Sequence, residues 1–76
     1  MENGKAYYVI RESHDGYYKV VAKATSEHIG WRIAYEMIEQ DKEHMYFVDD
    51  EATIIDALTH GVLPFTNLNE LEMVEK

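Results

Sequence analysis

Residues 5–24 read KAYYVIRESHDGYYKVVAKA, and this stretch decides the fold. Two runs rich in tyrosine, valine and isoleucine flank Asp15-Gly16, a dipeptide that favours the type I′ turn of a two-residue hairpin loop. A turn centred there places Glu12 opposite Lys19, so that opposite charges meet across the strands. The stretch therefore predicts a β-hairpin over residues 5–24.

This register divides the hairpin side chains between the two faces of the sheet, because successive residues of a strand point to opposite sides. The face with a single charge is the better core face, and it carries Tyr7, Val9, Arg11, Tyr18, Val20, Ala22 and Ala24. The opposite face carries three charges and a tyrosine-rich set, namely Tyr8, Ile10, Tyr17 and Val21, which Tyr46 of a later strand extends. This set is either an exposed interface or a second core layer covered by later elements.

A helix over residues 25–41 follows the hairpin. Ser26 can cap its free amide groups, and Glu27 suits the positive end of the helix dipole. Apolar side chains occupy well over half of its circumference, which predicts contact with more than one sheet face. Gly30 and Ala34, four residues apart on this arc, allow a close approach of the helix backbone to its neighbour.

The rest of the chain predicts a strand over 44–48, a helix over 50–60 that ends at Gly61, and a tail over 62–76. Helix 25–41 connects the second strand to the third, which makes those two strands parallel. Antiparallel neighbours are the commoner pairing, so the first strand is placed between them. The sequence thus predicts an α+β fold, a ββαβα domain with a three-stranded antiparallel sheet of order 2-1-3 and the first helix packed on one face.

The two edges of this predicted sheet differ in their protection. The outer edge of the second strand carries Lys19 and Lys23, charges that discourage further pairing. The edge formed by Met45 to Val48 carries no such residues. We therefore expect the second edge to be covered by the tail after Gly61 or paired with a second copy of the chain.

Charge is distributed unevenly along the 76 residues. Residues 1–34 have a net charge of +1, whereas residues 35–76 carry eleven acidic residues against Lys42 and Lys76, a net of −9. Like charge at this density repels nucleic acid and anionic membranes and attracts basic protein surfaces. We expect no direct contact with nucleic acid or membrane.

Composition also limits compartment and chemistry. The chain has no cysteine, which excludes disulfides and thiolate metal sites. No targeting segment and no apolar stretch long enough for a membrane span is visible, so a cytoplasmic protein is expected. A chain of this size has a thin stability margin, which favours a homo-oligomer.

Asp49-Asp50-Glu51 is the sharpest candidate for chemistry, because carboxylates at the end of a strand can hold Mg²⁺. The favoured interpretation is that these residues cap the second helix and offset its dipole. His60, at the other end of that helix, is expected to meet the negative end of the dipole. Ser13-His14-Asp15 contains triad residue types, but adjacent positions in a turn do not converge, which indicates turn chemistry.

No catalytic or cofactor motif stands out, and we predict a small acidic non-enzymatic regulator or inhibitor that binds a protein partner. Its acidic surface would fit the basic cleft of a nucleic-acid-binding protein by mimicking nucleic acid. In size and acidity the chain resembles small antagonist proteins carried by phages and other mobile elements. The alternative is a small metal-dependent enzyme or metal-binding domain centred on Asp49, Asp50 and His44. The residues predicted to contact a partner are Tyr8, Ile10, Tyr17, Val21, Tyr46, Glu36, Glu39, Asp49, Asp50 and Asp56.

Overall fold

The described residues form an α+β fold of two helices and a four-stranded mixed sheet. The computed structural model describes residues 6–64 and 66–76. Lys5, the first residue of the predicted hairpin, lies outside the described residues. The elements are β1 (Tyr7–Glu12), β2 (Tyr18–Ala24), α1 (Glu27–Gln40), β3 (Met45–Asp50), α2 (Glu51–Thr59), a 3-10 turn (Leu68–Glu70) and β4 (Met73–Val74).

The strand order is β3-β1-β2-β4, which contains the predicted 2-1-3 arrangement. β1 pairs antiparallel with both β2 and β3, as expected. The predicted three-stranded sheet was incomplete, because the tail adds β4 parallel to β2 through the pairs Lys23–Met73 and Ala24–Val74. Lysine side chains did not prevent this pairing, since they project from the faces of the sheet whereas the ladder bonds lie in its plane.

The tail therefore covers the edge of β2, where pairing was not expected. The amide of Thr25 donates a 3.0 Å hydrogen bond to the carbonyl of Val74, which extends the contact beyond β4. Of the two alternatives expected for the edge of β3, coverage by the tail is wrong, whereas pairing with a second copy stays a prediction. Within the described parts of the chain, no strand lies on the outer side of β3.

The hairpin turn has a three-residue loop in place of the predicted two-residue loop. The amide of Gly16 donates to the carbonyl of Ser13 at 3.0 Å, so His14 and Asp15 are the central residues of the turn. Gly16 follows with φ 86°, the left-handed conformation that closes loops of this length. Ser13 Oγ donates to Asp15 Oδ1 at 2.7 Å, which confirms that these polar side chains serve the turn.

The longer loop shifts the register near the turn, and a β-bulge restores it further along. Ile10 pairs with Val20 and not with Val21, whereas Val9 pairs with Ala22 as predicted. The extra residue on β2 moves Val20 to the face of Ile10, because directly paired residues share a face. The predicted division of β2 side chains was therefore wrong on the turn side of the bulge.

α1 packs on one face of the sheet. Its N-cap is Ser26, whose Oγ accepts a 3.2 Å hydrogen bond from the amide of Ile29. Gly30 and Ala34 are its buried residues, as the apolar arc predicted. The expectation that α1 contacts more than one sheet face is wrong, because α2 occupies the other face of the single sheet, and Tyr35 on the arc is exposed.

α2 covers the opposite face and ends in a Schellman motif. The amide of Gly61 donates to the carbonyl of Leu58 at 3.3 Å, and the amide of Val62 donates to the carbonyl of Ala57 at 2.9 Å. Gly61 has φ 76°, which confirms its predicted role as the residue after the helix C-cap. This turn directs Leu63 into the core beside the sheet.

Candidate partner-binding surface

The tyrosine-rich sheet face is covered by α2 and the tail. Tyr8 is 2% and Ile10 is 1% exposed, and both pack with Ile54 of α2 and Leu63 of the tail. The second core layer is thus the arrangement observed. Burial raises the pKa of Tyr8, and the charge of Glu51 raises it further. Tyr8 and Ile10 offer almost no surface to a partner.

The other three residues of that predicted patch lie apart from the buried pair. Tyr17 follows the hairpin turn and is 72% exposed. Val21 faces α1, where it lines a small cavity with Met37. Tyr46 lies on the same side, and its hydroxyl donates a 2.8 Å hydrogen bond to Asp41 Oδ2. The predicted aromatic patch is not one continuous surface.

Asp50 and Glu51 serve the start of α2. Asp50 Oδ1 accepts a 2.8 Å hydrogen bond from the amide of Thr53, which confirms the capping interpretation. Glu51 Oε1 accepts from the amide of Ala6 at 3.3 Å, so this carboxylate also ties α2 to β1. Asp49 is half-buried, and desolvation followed by the charge of Asp50 raises the pKa of its carboxyl.

The residues of the metal-site alternative lie at opposite ends of β3. His44 precedes the strand, whereas Asp49 and Asp50 end it, and a rise of about 3.3 Å per residue separates them by about 17 Å or more. His44 instead lines an open groove beside residues 13–15 of the hairpin turn. In the described ranges, no three histidine, aspartate or glutamate side chains are grouped to hold a metal ion.

Asp56 lies on the outer side of α2. Its carboxylate is 3.2 Å from His60 Nδ1, and the same nitrogen is 2.9 Å from the carbonyl of Asp56. This contact confirms that His60 meets the negative end of its helix. Because α1 and α2 cover opposite faces of the sheet, Asp56 points away from Glu36 and Glu39 of α1. The predicted acidic residues are therefore divided between two surfaces.

The more concentrated of these surfaces surrounds the C-terminus of α1. We call it the acidic end of α1, and it consists of Glu36, Glu39, Asp41 and Glu43. The three glutamates are exposed, and the last turn of α1 contains no basic residue. The helix dipole places additional negative charge at this end. The helix thus adds to the potential of the carboxylates.

Asp41 holds the acidic end of α1 in place. Its Oδ1 accepts a 3.0 Å hydrogen bond from the amide of Glu43, and its Oδ2 accepts from Tyr46 and lies 2.6 Å from His44 Nδ1. The hydrogen bond from Tyr46 is the largest of several causes that lower the pKa of Asp41. Desolvation is the largest cause that raises the pKa of Tyr46, and the hydrogen bond to Asp41 raises it further. This network fixes the connection between α1 and β3.

Few cations compensate this surface. Between residues that the structure describes, the contacts of a carboxylate with a basic side chain within 4 Å are Asp41–His44 and Asp56–His60, which are ion pairs only when the histidine is protonated. Glu36, Glu39 and Glu43 therefore face solvent without a lysine or arginine partner in the described ranges. Carboxylates that face solvent without a lysine or arginine partner are available to a basic protein.

Trp31 and Tyr35 form a partly exposed aromatic pair on the apolar arc of α1, which the sequence predicted to contact more than one sheet face. The rings of Trp31 and Tyr35 lie 5.7 Å apart at 33°, and Tyr35 is 62% exposed. The signal was present in the sequence, because the apolar arc of this helix is wider than one sheet face can bury. Asp41 was missed as an organising residue, although an aspartate directly after a helix commonly bonds the backbone two residues on.

Comparison with known proteins gives no relative. No protein family, curated protein or solved structure matches the chain. Among the described residues, no helix has the length and hydrophobicity needed to cross a membrane.

Proposed function

We propose that this chain is a small acidic, non-enzymatic regulator or inhibitor that binds a basic surface of a partner protein through the acidic end of α1. The observation that carries the proposal is the exposure of Glu36, Glu39 and Glu43 at the negative end of a helix dipole, without described cationic partners. Carboxylates projecting from a helix end can bond the forked guanidinium of arginine in defined geometry.

This arrangement opposes the stability of the free chain. Acidic side chains are unfavourable at a helix C-terminus, by about 0.3–1 kcal/mol for a charge in the last turn. Glu39 lies in the last turn of α1, where a lysine or arginine would stabilise the helix. A group that costs stability in the free protein and faces solvent is well suited to a role in binding.

The partner class follows from the sign of the charge. A net charge of −8 steers the chain toward strongly basic surfaces. Surfaces of this kind are typical of proteins that bind nucleic acid. We therefore propose a nucleic-acid-binding protein as the target, with the carboxylates at the acidic end of α1 taking the place of phosphates.

Two matched triple variants test this proposal. Glu36, Glu39 and Glu43 are replaced by glutamine in the first, and Glu70, Glu72 and Glu75, exposed glutamates of the tail, are replaced in the second. Both variants lose three negative charges. Tagged wild-type chain is used to capture proteins from an extract of the native host, and the captured proteins are identified, purified and measured for binding against salt concentration.

The expected partner is a basic nucleic-acid-binding protein. A DNA or RNA duplex added to the complex should displace this partner from the chain. The α1 triple variant should then associate more slowly, because exposed charges mainly set the association rate. The tail triple variant should bind like wild type. If both triple variants slowed association equally, the net charge of the chain alone would determine binding. Capture of a partner without a basic surface would contradict the proposal.

A further inference from the structure

A cavity lies between α2 and the sheet face that this helix covers. Its volume is about 230 Å³. Ile10 and Phe47 line it from the sheet, Ile54 and Ala57 line it from α2, and Leu63 lines it from the segment after the helix. Binding sites for small ligands are concave and mostly apolar, with a few polar groups that orient the ligand. This cavity has the apolar lining of such a site.

The lining of the cavity also includes polar side chains. Asp49 lies two residues after Phe47 in β3, and alternate residues of a strand share a face, so its side chain lies toward α2 and lines the cavity. Thr53 in the first turn of α2 is exposed and lines the cavity as well, so the cavity reaches solvent there. The hydroxyl of Tyr18, also in the lining, donates a 3.2 Å hydrogen bond to Glu12 Oε2. Asp49 is therefore the charged residue that a ligand in the cavity would contact.

The carboxylate of Asp49 lacks a partner of opposite charge. Among the described residues, no hydrogen-bond donor and no cation contacts it. Asp49 is half-buried, and desolvation is the larger of the two causes that raise its pKa, the charge of Asp50 being the smaller. Burying a charge without a partner costs free energy, and a cation beside the carboxylate would offset this cost. The net charge of −8 also attracts cations to the chain. Asp49 thus favours a positively charged ligand.

We propose that this cavity binds a small aromatic amine, with the ammonium group on the carboxylate of Asp49 and the ring between Phe47 and Ala57. A cavity of about 150 Å³ is large enough for one benzene ring, so the volume here also accommodates a short chain from the ring to the ammonium group. The ring of Phe47 offers an aromatic contact, which is stronger than its buried area alone implies. This inference does not depend on the acidic end of α1, because α1 packs on the other face of the sheet.

Other classes of ligand fit the cavity less well. An aromatic acid of the same size would place a second carboxylate beside Asp49, and like charges repel. An aromatic alcohol could donate a hydrogen bond to Asp49, but it would not neutralise the charge. A metal ion needs several ligands, whereas in the described ranges no three ligating side chains are grouped, and the remaining lining is mostly apolar. An amine satisfies both the carboxylate and the apolar lining.

Three probes of similar size and different charge test the ligand class. Phenethylamine, phenethyl alcohol and hydrocinnamate are titrated into the full chain at pH 7, and two-dimensional NMR of the backbone amides follows binding. Phenethylamine should bind with a dissociation constant of about 1 mM, as expected for a ligand with so few atoms. The alcohol should bind at least about 5-fold more weakly, and the acid should not bind. The amide signals of Ala57 and Leu63 should shift, whereas that of Ala34 in α1 should not.

Two pairs of variants locate the site. D49N keeps the size of the side chain but removes its charge, so it should weaken phenethylamine binding by about 5- to 30-fold and abolish the preference for the amine over the alcohol. D56N removes the same charge from the exposed side of α2 and should change binding by less than about 2-fold. A57L places a larger side chain in the cavity and should prevent binding, whereas A52L, at an exposed position of the same helix, should not. The amide spectrum of each variant shows that it is folded.

Four results would overturn the proposal. The first is the absence of phenethylamine binding up to about 10 mM, a concentration well above the expected dissociation constant. The second is equal binding of the amine and the alcohol to wild type. The third is equal behaviour of D49N and D56N, or of A57L and A52L. The fourth is tighter binding of butylamine, which carries the side-chain chemistry of lysine without a ring, because this would identify a lysine of a protein as the ligand. Amine-selective binding that D49N and A57L remove supports the proposal.

Discussion

Gly30 of α1 lies so close to Val48 of β3 that a Cβ atom at position 30 would stand 3.0 Å from Val48 Cγ1. Val48 is a β-branched residue with little freedom about χ1, so its methyl groups cannot easily move aside. The contact sets the separation between α1 and β3. It also explains a glycine inside a helix, where this residue otherwise costs about 1 kcal/mol relative to alanine.

Replacing Gly30 by alanine should have opposite effects in two backgrounds. In wild type, G30A gains about 1 kcal/mol of helix propensity but incurs about 1–3 kcal/mol of overpacking against Val48, so we expect no gain or a net loss of stability. In V48A, which removes the facing methyl groups, the same substitution should stabilise. Urea unfolding of the four proteins gives the coupling energy. Equal effects of G30A in both backgrounds would mean that the contact is not tight.

Local sequence signals predicted much of this fold. The caps at Ser26 and Asp50 and the left-handed residue Gly61 are determined by the few residues around them. The position of β1 between its two neighbours followed from the connection through α1 and the preference for antiparallel pairing. These features do not depend on distant side chains, which is why the sequence alone could indicate them.

The features that were missed depend on contacts distant in sequence or on small differences between turn types. Asp15-Gly16 supports both a two-residue and a three-residue loop, and the latter shifted the pairing of Ile10. β4 consists of two residues whose pairing with β2 joins positions about fifty apart. Such a short strand has no periodicity of its own, so its preference for β2 appears only in the folded chain.

The candidate surface was predictable only in part. The excess of acidic residues after residue 35 indicated the charge of the surface, but not that α1 and α2 would divide it between two faces. Tyr8 and Ile10 were predicted to contact a partner, with a covered second core layer as the alternative, because no sequence signal shows where α2 and Leu63 pack. The choice between an interface and a core layer depended on these tertiary contacts.

Replacing Asp49 by asparagine should stabilise the protein at neutral pH. Desolvation is the larger cause that raises the pKa of Asp49 in the folded state, and the charge of Asp50 raises it further. The folded state therefore disfavours the carboxylate, and this penalty develops as the pH rises from the usual pKa of 3.8 through the raised folded pKa. D49N should have a higher unfolding free energy than wild type at pH 7, and this difference should disappear below about pH 4.

Urea unfolding across this pH range measures the effect. Glu72→Gln, which neutralises an exposed carboxylate of the tail, serves as the control and should change the unfolding free energy by less than about 0.5 kcal/mol. A D49N protein that is less stable than wild type at pH 7 would contradict this account of Asp49.

Asp41 should show the opposite dependence on pH. The hydrogen bond from Tyr46, with smaller contributions from Glu43 and His44, lowers the pKa of Asp41 in the folded state. The stability from these contacts is therefore complete above the usual pKa of 3.8 and is lost as the pH falls through the lowered folded pKa. D41A should be less stable than wild type at pH 7, and the difference should shrink at low pH.

Asp41→Asn separates charge from geometry in this test, because its amide oxygen can still accept a hydrogen bond. D41N should lie between wild type and D41A at pH 7. The absorbance titration of Tyr46, measured against a Y46F reference, should move toward the ordinary tyrosine range in D41A, because the bond to Asp41 helps to raise the pKa of Tyr46. An unchanged titration would mean that the hydrogen bond does not persist in solution.

Leu63 and Val62 are a matched pair that tests how the tail closes the core. The turn at Gly61 sends Leu63 inward and Val62 outward, so that Leu63 is 6% and Val62 64% exposed. L63A should lower the unfolding free energy by about 2–5 kcal/mol, because it leaves a cavity beside Tyr8 and Ile10. V62A, which also removes methyl groups from an apolar side chain, should change it by less than about 0.5 kcal/mol. Thermal and urea unfolding of both variants measure the difference. Similar losses from the two variants, or a truncation after Gly61 that remains fully folded, would show that the tail does not complete the core.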